Sequence, residues 1–372
     1  MKTKILINDI IPFAPTHPGE LIADELKARG LKQKELAMLL NMPTSVLNDV
    51  IKAKRSVTAE MAVLLEKVMD IPADYWMKLQ SQYNIDLANM NERIVKQKKN
   101  IEIWNIIAQY VPVKLLEKIG LIGKNIDENI KKIWVIFGVD SVDSLISKYS
   151  IEEDISYFKK SERIQTDPVN LFTWKHLAYY YSNMHDDVPP FDAACINDLI
   201  KELNEIFYEN CDTIRKTKAL LNSYGIKFLV LEKFDKTPID GFSFWKGNNP
   251  TIVLTLRLDK IDNFAFSVLH EICHVFYHLN KDEASQHVTI SGAVTTSECE
   301  DAANLFARRA IVSDDKWDKF MKTSSRISPH AMQHVIHQFA EENKINTAIV
   351  FGLYQHAINL YSIKTSFVRT IN

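Results

Sequence analysis

The five residues from His270 to His274 read His-Glu-Ile-Cys-His, which places two imidazoles four positions apart with a carboxylate beside the first. Residues four apart share one face of a helix, so both imidazoles can bind one metal ion. Glu271 lies about 100° further around the helix, close enough to reach a water on that ion. Zinc accepts nitrogen and carboxylate ligands and keeps a position for water. The spacing therefore predicts a Zn²⁺ centre with Glu271 as the catalytic base.

A third ligand is expected from a second helical segment that begins near residue 297. Glu300 and Asn304 are four apart there, so a carboxylate ligand and an amide that hydrogen-bonds a ligand imidazole would face the same way. Glu298 is the competing ligand, but it lacks a polar neighbour four residues later. We therefore prefer Glu300. The predicted ligands are His270, His274 and Glu300, with Asn304 holding a ligand imidazole.

The elements that must position these groups can be predicted from periodicity. The metal helix carries an apolar face opposite its histidines, formed by Ala265, Val268, Ile272, Val275 and Leu279. His278 continues the histidine face and is either a fourth imidazole or, as we prefer, a polar residue near the helix end. Three short β-rich runs precede the helix, namely 228–231, 242–245 and 252–256. We expect the last of them to be an exposed edge that pairs with extended substrate.

A second kind of chemistry is predicted between His17 and Tyr83, where apolar residues recur in five short helical blocks. Gly30 ends the first block because glycine readily takes the left-handed conformation at a helix C-terminus. Thr44–Ile51 is the predicted recognition helix, whose polar residues suit base edges, while the basic residues after it suit phosphates. The predicted DNA contacts are Gln33, Thr44, Ser45, Asn48, Lys52, Lys54 and Arg55.

Composition limits the classes of protein to consider. The chain has 372 residues with a formal net charge of −2, and residues 1–100 hold 15 Lys+Arg against 12 Asp+Glu. Its four cysteines form no CxxC pair, which argues against a disulfide scaffold or a zinc ribbon. We find no signal peptide and no apolar run long enough for a membrane span. We expect a cytoplasmic protein with no membrane partner.

The fold class that these patterns predict is mainly α with a small α+β domain. We expect residues 1–90 to form a five-helix DNA-binding domain, residues 91–205 a helical connector, and residues 206–372 a small α+β domain with a short β-sheet that holds the metal centre.

Residues 206–360 resemble the ImmA/IrrE-type metallopeptidases. The resemblance implies a zinc-dependent, gluzincin-like peptidase, of the kind that in several members cleaves helix-turn-helix repressors. The chain departs from the family pattern at Cys273, where glycine is usual, and at 311–313, where Leu-Leu-x-Pro is common. The matching segments are Asp240-Gly241-Phe242, Asn249-Pro250, Phe266–Glu271, Ala303–Ala307, Phe339-Ala340-Glu341 and Ala348–Gly352.

Residues 12–90 resemble the HigA-type antitoxin helix-turn-helix (XRE-like) domain. The resemblance implies a DNA-binding antitoxin of a toxin–antitoxin system. Pro43 stands where a capping serine is usual, and Ala53 where glycine is usual. The matching segments are His17–Leu21, Gln33–Ala37, Lys54–Ala62 and Tyr75–Gln80.

Together these features predict an antitoxin-like transcriptional regulator that carries a zinc-dependent peptidase domain. Its expected partners are operator DNA and a protein substrate, which is a repressor, a toxin or the connector itself, and we expect a homodimer on two half-sites. The alternative is an antitoxin-like repressor whose C-terminal domain binds a toxin or senses a ligand without proteolysis. A Glu271→Gln variant discriminates between the two, because metal binding alone needs only the ligands.

Overall fold

The computed structural model of the chain describes residues 14–157, 166–184, 188–255, 259–280, 286–290, 298–324, 329–363 and 365–372. The chain divides into two compact units, residues 1–105, hereafter the head, and residues 106–372, hereafter the body. Residues 106–205 thus share a compact unit with the predicted metal domain, and the three-part division stays a prediction. No helix of the described ranges combines the length and apolar character needed to cross a bilayer.

The head begins with five helices, as its periodicity predicts, and Gly30 ends the first of them in the left-handed region at φ 67°. A sixth helix, α6 (Glu92–Tyr110), follows and continues into the body. The five helices are α1 (Pro18–Arg29), α2 (Gln33–Leu39), α3 (Thr44–Ile51), α4 (Ala59–Met69) and α5 (Ala73–Met90).

Three residues of the His17–Leu21 segment, namely His17, Gly19 and Glu20, hold the start of α1 in place. The Gly19 amide donates to His17 Nδ1 at 2.9 Å, and the His17 amide donates to the Glu20 carboxylate, which together cap the helix. A Cβ on Gly19 would lie 2.2 Å from the Val50 carbonyl oxygen, so only glycine allows α1 to approach α3 this closely. The head has its own apolar core, which includes Ile22, Leu36, Leu47, Leu65 and Trp76.

Six helices of the body precede its sheet in the described residues, and the fourth of them, α10 (Pro168–Asn183), packs on the sheet. Trp174 Nε1 donates to the Glu232 carbonyl at 3.0 Å, and the Tyr179 ring lies 4.6 Å from that of Phe244. These helices are α7 (Val113–Lys118), α8 (Ile126–Phe137), α9 (Val142–Tyr157), α10 (Pro168–Asn183), α11 (Ile196–Glu209) and α12 (Thr213–Ser223).

Among the described residues, the sheet has four strands in the order β1-β3-β2-β4. Strand β3 pairs parallel with β1 and antiparallel with β2, and β2 pairs antiparallel with β4. The prediction that the third β-rich run forms an exposed edge is therefore wrong, because β3 has a partner on both sides. Its residues Ile252, Val253 and Leu254 are at most 1% exposed, as in a central strand covered on both faces. The strands are β1 (Lys227–Val230), β2 (Ile239–Lys246), β3 (Asn249–Leu254) and β4 (Gln286–Ile290).

The helix that carries the histidines, α13 (Ile261–Cys273), continues into a π-helical turn at His274–His278. The turn widens because the Leu279 amide donates to the His274 carbonyl, five residues back, at 2.8 Å. The predicted apolar face of α13 is buried in the body core. At its start, the Ile261 amide donates to the Arg369 carbonyl at 2.8 Å, which supplies a partner that a helix N-terminus lacks.

The remaining helices are α14 (Glu298–Ile311), α15 (Asp314–Ser324), α16 (Pro329–Asn343) and α17 (Thr347–Ala357). Helix α14 packs on α13 through Ala303 and Ala307, both fully buried, because small residues allow two helices to approach closely. The fold class predicted from the sequence, mainly α with a small α+β domain, is confirmed.

Candidate metal centre and DNA-binding helices

Three side chains from α13, the π turn and α14 converge in the body. His270 Nε2 lies 3.3 Å from one Glu300 carboxylate oxygen, His274 Nε2 lies 3.5 Å from the other, and the two Nε2 atoms are 3.1 Å apart. Zinc bonds of about 2.0–2.2 Å place tetrahedral ligands roughly 3.4 Å apart. The donor types and their separations therefore fit a single zinc ion.

Helix geometry determines which glutamate joins the histidines. Glu300 contributes the third atom that could bind a metal ion, and the three candidate atoms all lie within 4.8 Å of one another. Glu298, two residues earlier in the first turn of α14, is exposed to solvent. The structure thus brings Glu300, rather than its competitor, to His270 and His274.

Each histidine has a hydrogen-bond partner on the nitrogen that faces away from the other ligands. His270 Nδ1 lies 3.0 Å from Asn304 Oδ1, the arrangement expected of an amide that fixes the tautomer of a ligand. His274 Nδ1 lies 2.9 Å from His278 Nδ1. His278 is therefore part of this cluster, although the sequence favours its interpretation as a residue near the helix end.

Glu271 lies on the strand side of α13 and is 1% exposed. Ser243 Oγ of β2 donates a short hydrogen bond to Glu271 Oε2. Gly241 of the same strand packs directly against the Glu271 carboxylate. Sequence reasoning did not assign either contact, although Asp240-Gly241-Phe242 is one of the segments that carry the family resemblance.

The electrostatics follow from burial beside carboxylates. Burial lowers the pKa of His270, but the hydrogen bond to Glu300 and the nearby charge of Glu271 outweigh it, so that the pKa is raised above its usual range. Burial raises the pKa of the Cys273 thiol to about 11, which keeps it protonated at neutral pH. Cys273 is 3% exposed and is a core residue, as its position on the helix predicts.

The predicted base-contacting residues lie at the outer face of α3. Thr44 and Ser45 are exposed at its N-terminus and Asn48 is half-exposed one turn later, whereas Leu47 and Val50 are buried in the head core. Gln33 is the first residue of α2, and its Nε2 is shielded from solvent without a hydrogen-bond partner among the described residues.

The predicted phosphate contacts follow α3 directly. Lys52, Lys54 and Arg55 are all exposed, and Arg55 is only loosely paired, with its Nε 3.7 Å from Asp49 Oδ2. Ala53 between them adopts φ 56°, the left-handed conformation that explains why glycine is usual at this position.

Family comparisons match both units of this architecture. A helix-turn-helix model matches residues 22–76, and an IrrE N-terminal-like domain model matches residues 222–335. The chain belongs to the helix-turn-helix family and carries an IrrE N-terminal-like domain. The first match includes α2 and α3, and the second includes His270, His274 and Glu300. The IrrE-like domain belongs to a peptidase family, whose members are generally metal-dependent.

Curated relatives resemble part of the chain. The uncharacterized HTH-type transcriptional regulator YbaQ of Escherichia coli K12 is 34% identical over 98 residues, which are 26% of this chain and 84% of YbaQ. Virulence-associated protein I of Dichelobacter nodosus is 30% identical over 80 residues, 21% of this chain and 74% of that protein. The chain therefore includes a helix-turn-helix domain of the transcriptional-regulator type.

Two solved structures are similar to a portion of the chain of comparable size. The Pseudomonas aeruginosa antitoxin HigA with the higBA promoter is 35% identical and covers 20% of this chain and 84% of its own, with a TM-score of 0.20. PA4674 of the same organism in complex with its 18-bp operator DNA is 31% identical and covers 23% of this chain and 96% of its own, with a TM-score of 0.22.

Proposed function

We propose that this protein is an antitoxin-like DNA-binding regulator whose IrrE-like domain is a zinc-dependent peptidase that cleaves a regulatory protein. The observation that supports the peptidase most directly is the convergence of three ligand atoms beside a buried glutamate. His270, His274 and Glu300 supply the atoms, and Glu271 follows the first ligand in sequence. A site that only bound metal would not need Glu271.

Zinc held by His270, His274 and Glu300 would supply a Lewis acid that lowers the pKa of a water and polarises a peptide carbonyl. Glu271 would accept a proton from the attacking water and then deliver it to the leaving amine. Ser243 donates to one carboxylate oxygen of Glu271, which orients the base. Asn304 accepts from His270 and keeps that imidazole in one tautomer.

An extended substrate needs a sheet edge near this centre. Among the described strands, β1 and β4 form the edges, and β4 pairs with β2, the strand that carries Ser243. We propose β4, in place of β3, as the edge that pairs with substrate backbone. The proposed substrate is a repressor, a cognate toxin or residues 91–205 of the chain itself.

The head brings the peptidase to its place of action. Thr44, Ser45 and Asn48 are proposed to contact base edges, while Gln33 and the basic residues after α3 contact phosphates. We propose a homodimer that binds two half-sites, as helix-turn-helix regulators commonly do. A protein that binds an operator works where the chromosome lies, which in a bacterial cell is the cytoplasm.

The proposal is tested by comparing the wild type with Glu271→Gln in cells that carry a reporter on the target promoter. Because Glu271 is a base and not a ligand, the variant should keep its zinc and its fold but lose cleavage. We expect derepression and a cleaved fragment, seen by immunoblot, with the wild type and not with Glu271→Gln. Glu298→Gln, on the exposed glutamate of α14, is the matched control and should behave as the wild type does.

Equal derepression by the wild type and Glu271→Gln, with no fragment in either, would contradict the peptidase. The body would then act by binding a toxin or a ligand, and the antitoxin-like repressor would be the function that fits.

A further inference from the structure

His278 contacts a predicted metal ligand but has no role in the mechanism above. It lies at the end of the π turn and is half-buried, with its Nδ1 2.9 Å from Nδ1 of His274. The contact joins two imidazoles four residues apart in a turn wider than an α-helix. His278 is therefore in direct contact with the His274 ring through the two Nδ1 atoms.

The direction of that contact excludes His278 from the group of ligand atoms. His274 turns Nε2 towards His270 and Glu300, at 3.1 and 3.5 Å, and turns Nδ1 the opposite way. His278 meets the Nδ1 side of the ring. It therefore lies on the far side of His274 from the place where the ligand atoms converge.

Ligation through Nε2 determines the tautomer that His274 needs. An imidazole that binds a metal through one nitrogen carries its proton on the other, and that N–H requires an acceptor when it is buried. His274 is fully buried, so its Nδ1–H must be satisfied by the protein. The Nδ1 lone pair of His278, at 2.9 Å, is an acceptor with the required position.

His270, the other predicted histidine ligand, is held in the same way, but by an asparagine. His270 Nδ1 has Asn304 Oδ1 at 3.0 Å, from α14. In asparagine and in histidine, the accepting atom (Oδ1 or Nδ1) is bonded to Cγ, so both place it at the same number of bonds from Cα. The two imidazoles thus have equivalent acceptors supplied by different elements.

We propose that His278 is a positioning residue for His274, which accepts the Nδ1–H hydrogen bond and holds the ring with Nε2 towards the metal. This inference rests on the zinc site of the proposed function. The removal of such an outer partner typically weakens metal affinity by about 10- to 100-fold.

The test measures zinc affinity of the full chain by competition with a chromophoric chelator, together with the visible absorption of the Co²⁺-substituted protein. We expect His278→Ala to weaken zinc binding by about 10- to 100-fold and to shift the cobalt bands. His278→Asn should restore most of the affinity, because its Oδ1 replaces the lost acceptor. Asn304→Ala should cause a loss of similar size, and His356→Ala, at an exposed histidine of α17, should cause none.

The variants distinguish a positioning role of His278 from a general packing role. Unchanged affinity and cobalt spectrum in His278→Ala would overturn the inference. A His278→Asn variant that folds, by circular dichroism, yet binds zinc as weakly as His278→Ala would also overturn it, since acceptance of a hydrogen bond would not be the property that matters. A general packing defect would lower the melting temperature of both variants without the rescue of zinc affinity.

Failure of this inference can be distinguished from failure of the proposed function. If the wild type holds zinc and the His278 series behaves as described, but Glu271→Gln shows the same biological effect as the wild type, the inference stands and the peptidase does not. If the wild type binds no zinc, both are overturned.

Discussion

Gly241 lies against the Glu271 carboxylate so closely that a Cβ on Gly241 would be 2.0 Å from Glu271 Oε1. The side chain of Ser243, two residues along the same strand, donates to the other oxygen of that carboxylate. Strand β2 therefore holds the proposed base from both sides, and one of these contacts depends on the absence of a side chain.

The first prediction is that Gly241→Ala displaces the base without removing the metal. The added methyl group must push Glu271 away from Ser243, so we expect the rate of peptide cleavage to fall by about a hundredfold while zinc content is kept. Cleavage assays and elemental analysis measure the two properties. Gly123→Ala, where a Cβ meets nothing within 4 Å, is the control and should leave both unchanged. Full activity in Gly241→Ala would show that the position of Glu271 is not critical.

The second prediction is that Glu300 binds the zinc ion and that Glu298, in the same turn of α14, does not. Glu300→Ala should reduce zinc from about one ion per chain to a small fraction of that, because only two ligands are left. Glu298→Ala should retain zinc, since Glu298 is exposed while the Glu300 carboxylate lies beside both imidazoles. Elemental analysis after dialysis measures the zinc content of each variant. Loss of zinc in Glu298→Ala with full zinc in Glu300→Ala would identify Glu298 as the third ligand.

A third prediction concerns DNA. Changing Lys54 and Arg55 to alanine should weaken binding to all duplexes and reduce its salt dependence, because both residues are exposed and proposed to neutralise phosphates. Asn48→Ala should cost about 1–3 kcal/mol of discrimination at one base pair instead. Fluorescence anisotropy at several salt concentrations measures both effects, with Lys78→Ala on α5 as the control. Equal affinity for operator and random duplex at every salt concentration would contradict sequence-specific binding.

The strained alanine after α3 leads to a fourth prediction. Ala53 adopts φ 56°, which costs an L-residue about 1–2 kcal/mol, whereas glycine loses about 0.5–1 kcal/mol of chain entropy on folding. Ala53→Gly should therefore raise the free energy of unfolding of the head by up to about 1.5 kcal/mol. Urea unfolding of residues 1–105, which have their own core, tests this. Ala59→Gly, in the first turn of α4, should have the opposite sign.

The fifth prediction is that the head loses stability in mild acid through His17. Burial lowers the pKa of His17 and outweighs the opposing effect of Glu20, so the folded state binds the proton less readily than the unfolded state does. Stability is thus fully present above the unfolded pKa of about 6.5 and falls as the pH drops through the lower folded value. A protonated Nδ1 also cannot accept from the Gly19 amide.

In His17→Asn the asparagine side-chain oxygen can still accept the capping hydrogen bond, but asparagine carries no titratable group. The free energy of unfolding of the wild-type head should fall relative to this variant as the pH is lowered from 8 to 5. Urea titrations at each pH measure the difference, and parallel pH profiles would exclude His17 as the acid-sensitive group.

Much of the architecture could be predicted because it depends on local periodicity. The apolar spacing predicted five helices in the head, and α13 and α14 in the body. The histidine spacing predicted that His270 and His274 share a face, since that follows from helix geometry alone. The sequence left the segment around His287 open as a loop or a strand, because the apolar residues of 286–290 show too short a pattern to distinguish the two.

The sequence by itself determined the residue types for a metal centre and a DNA-binding helix, their spacing along the chain, and the helices that carry them. Only the tertiary structure decided that Glu300 meets the histidines, that Ser243 and Gly241 hold Glu271, that β3 is central in the sheet, and that His278 meets His274. The first three findings depend on how elements far apart in sequence pack together, and the last depends on a π turn that departs from the 3.6-residue repeat. The periodicity of a single segment contains no information on either feature.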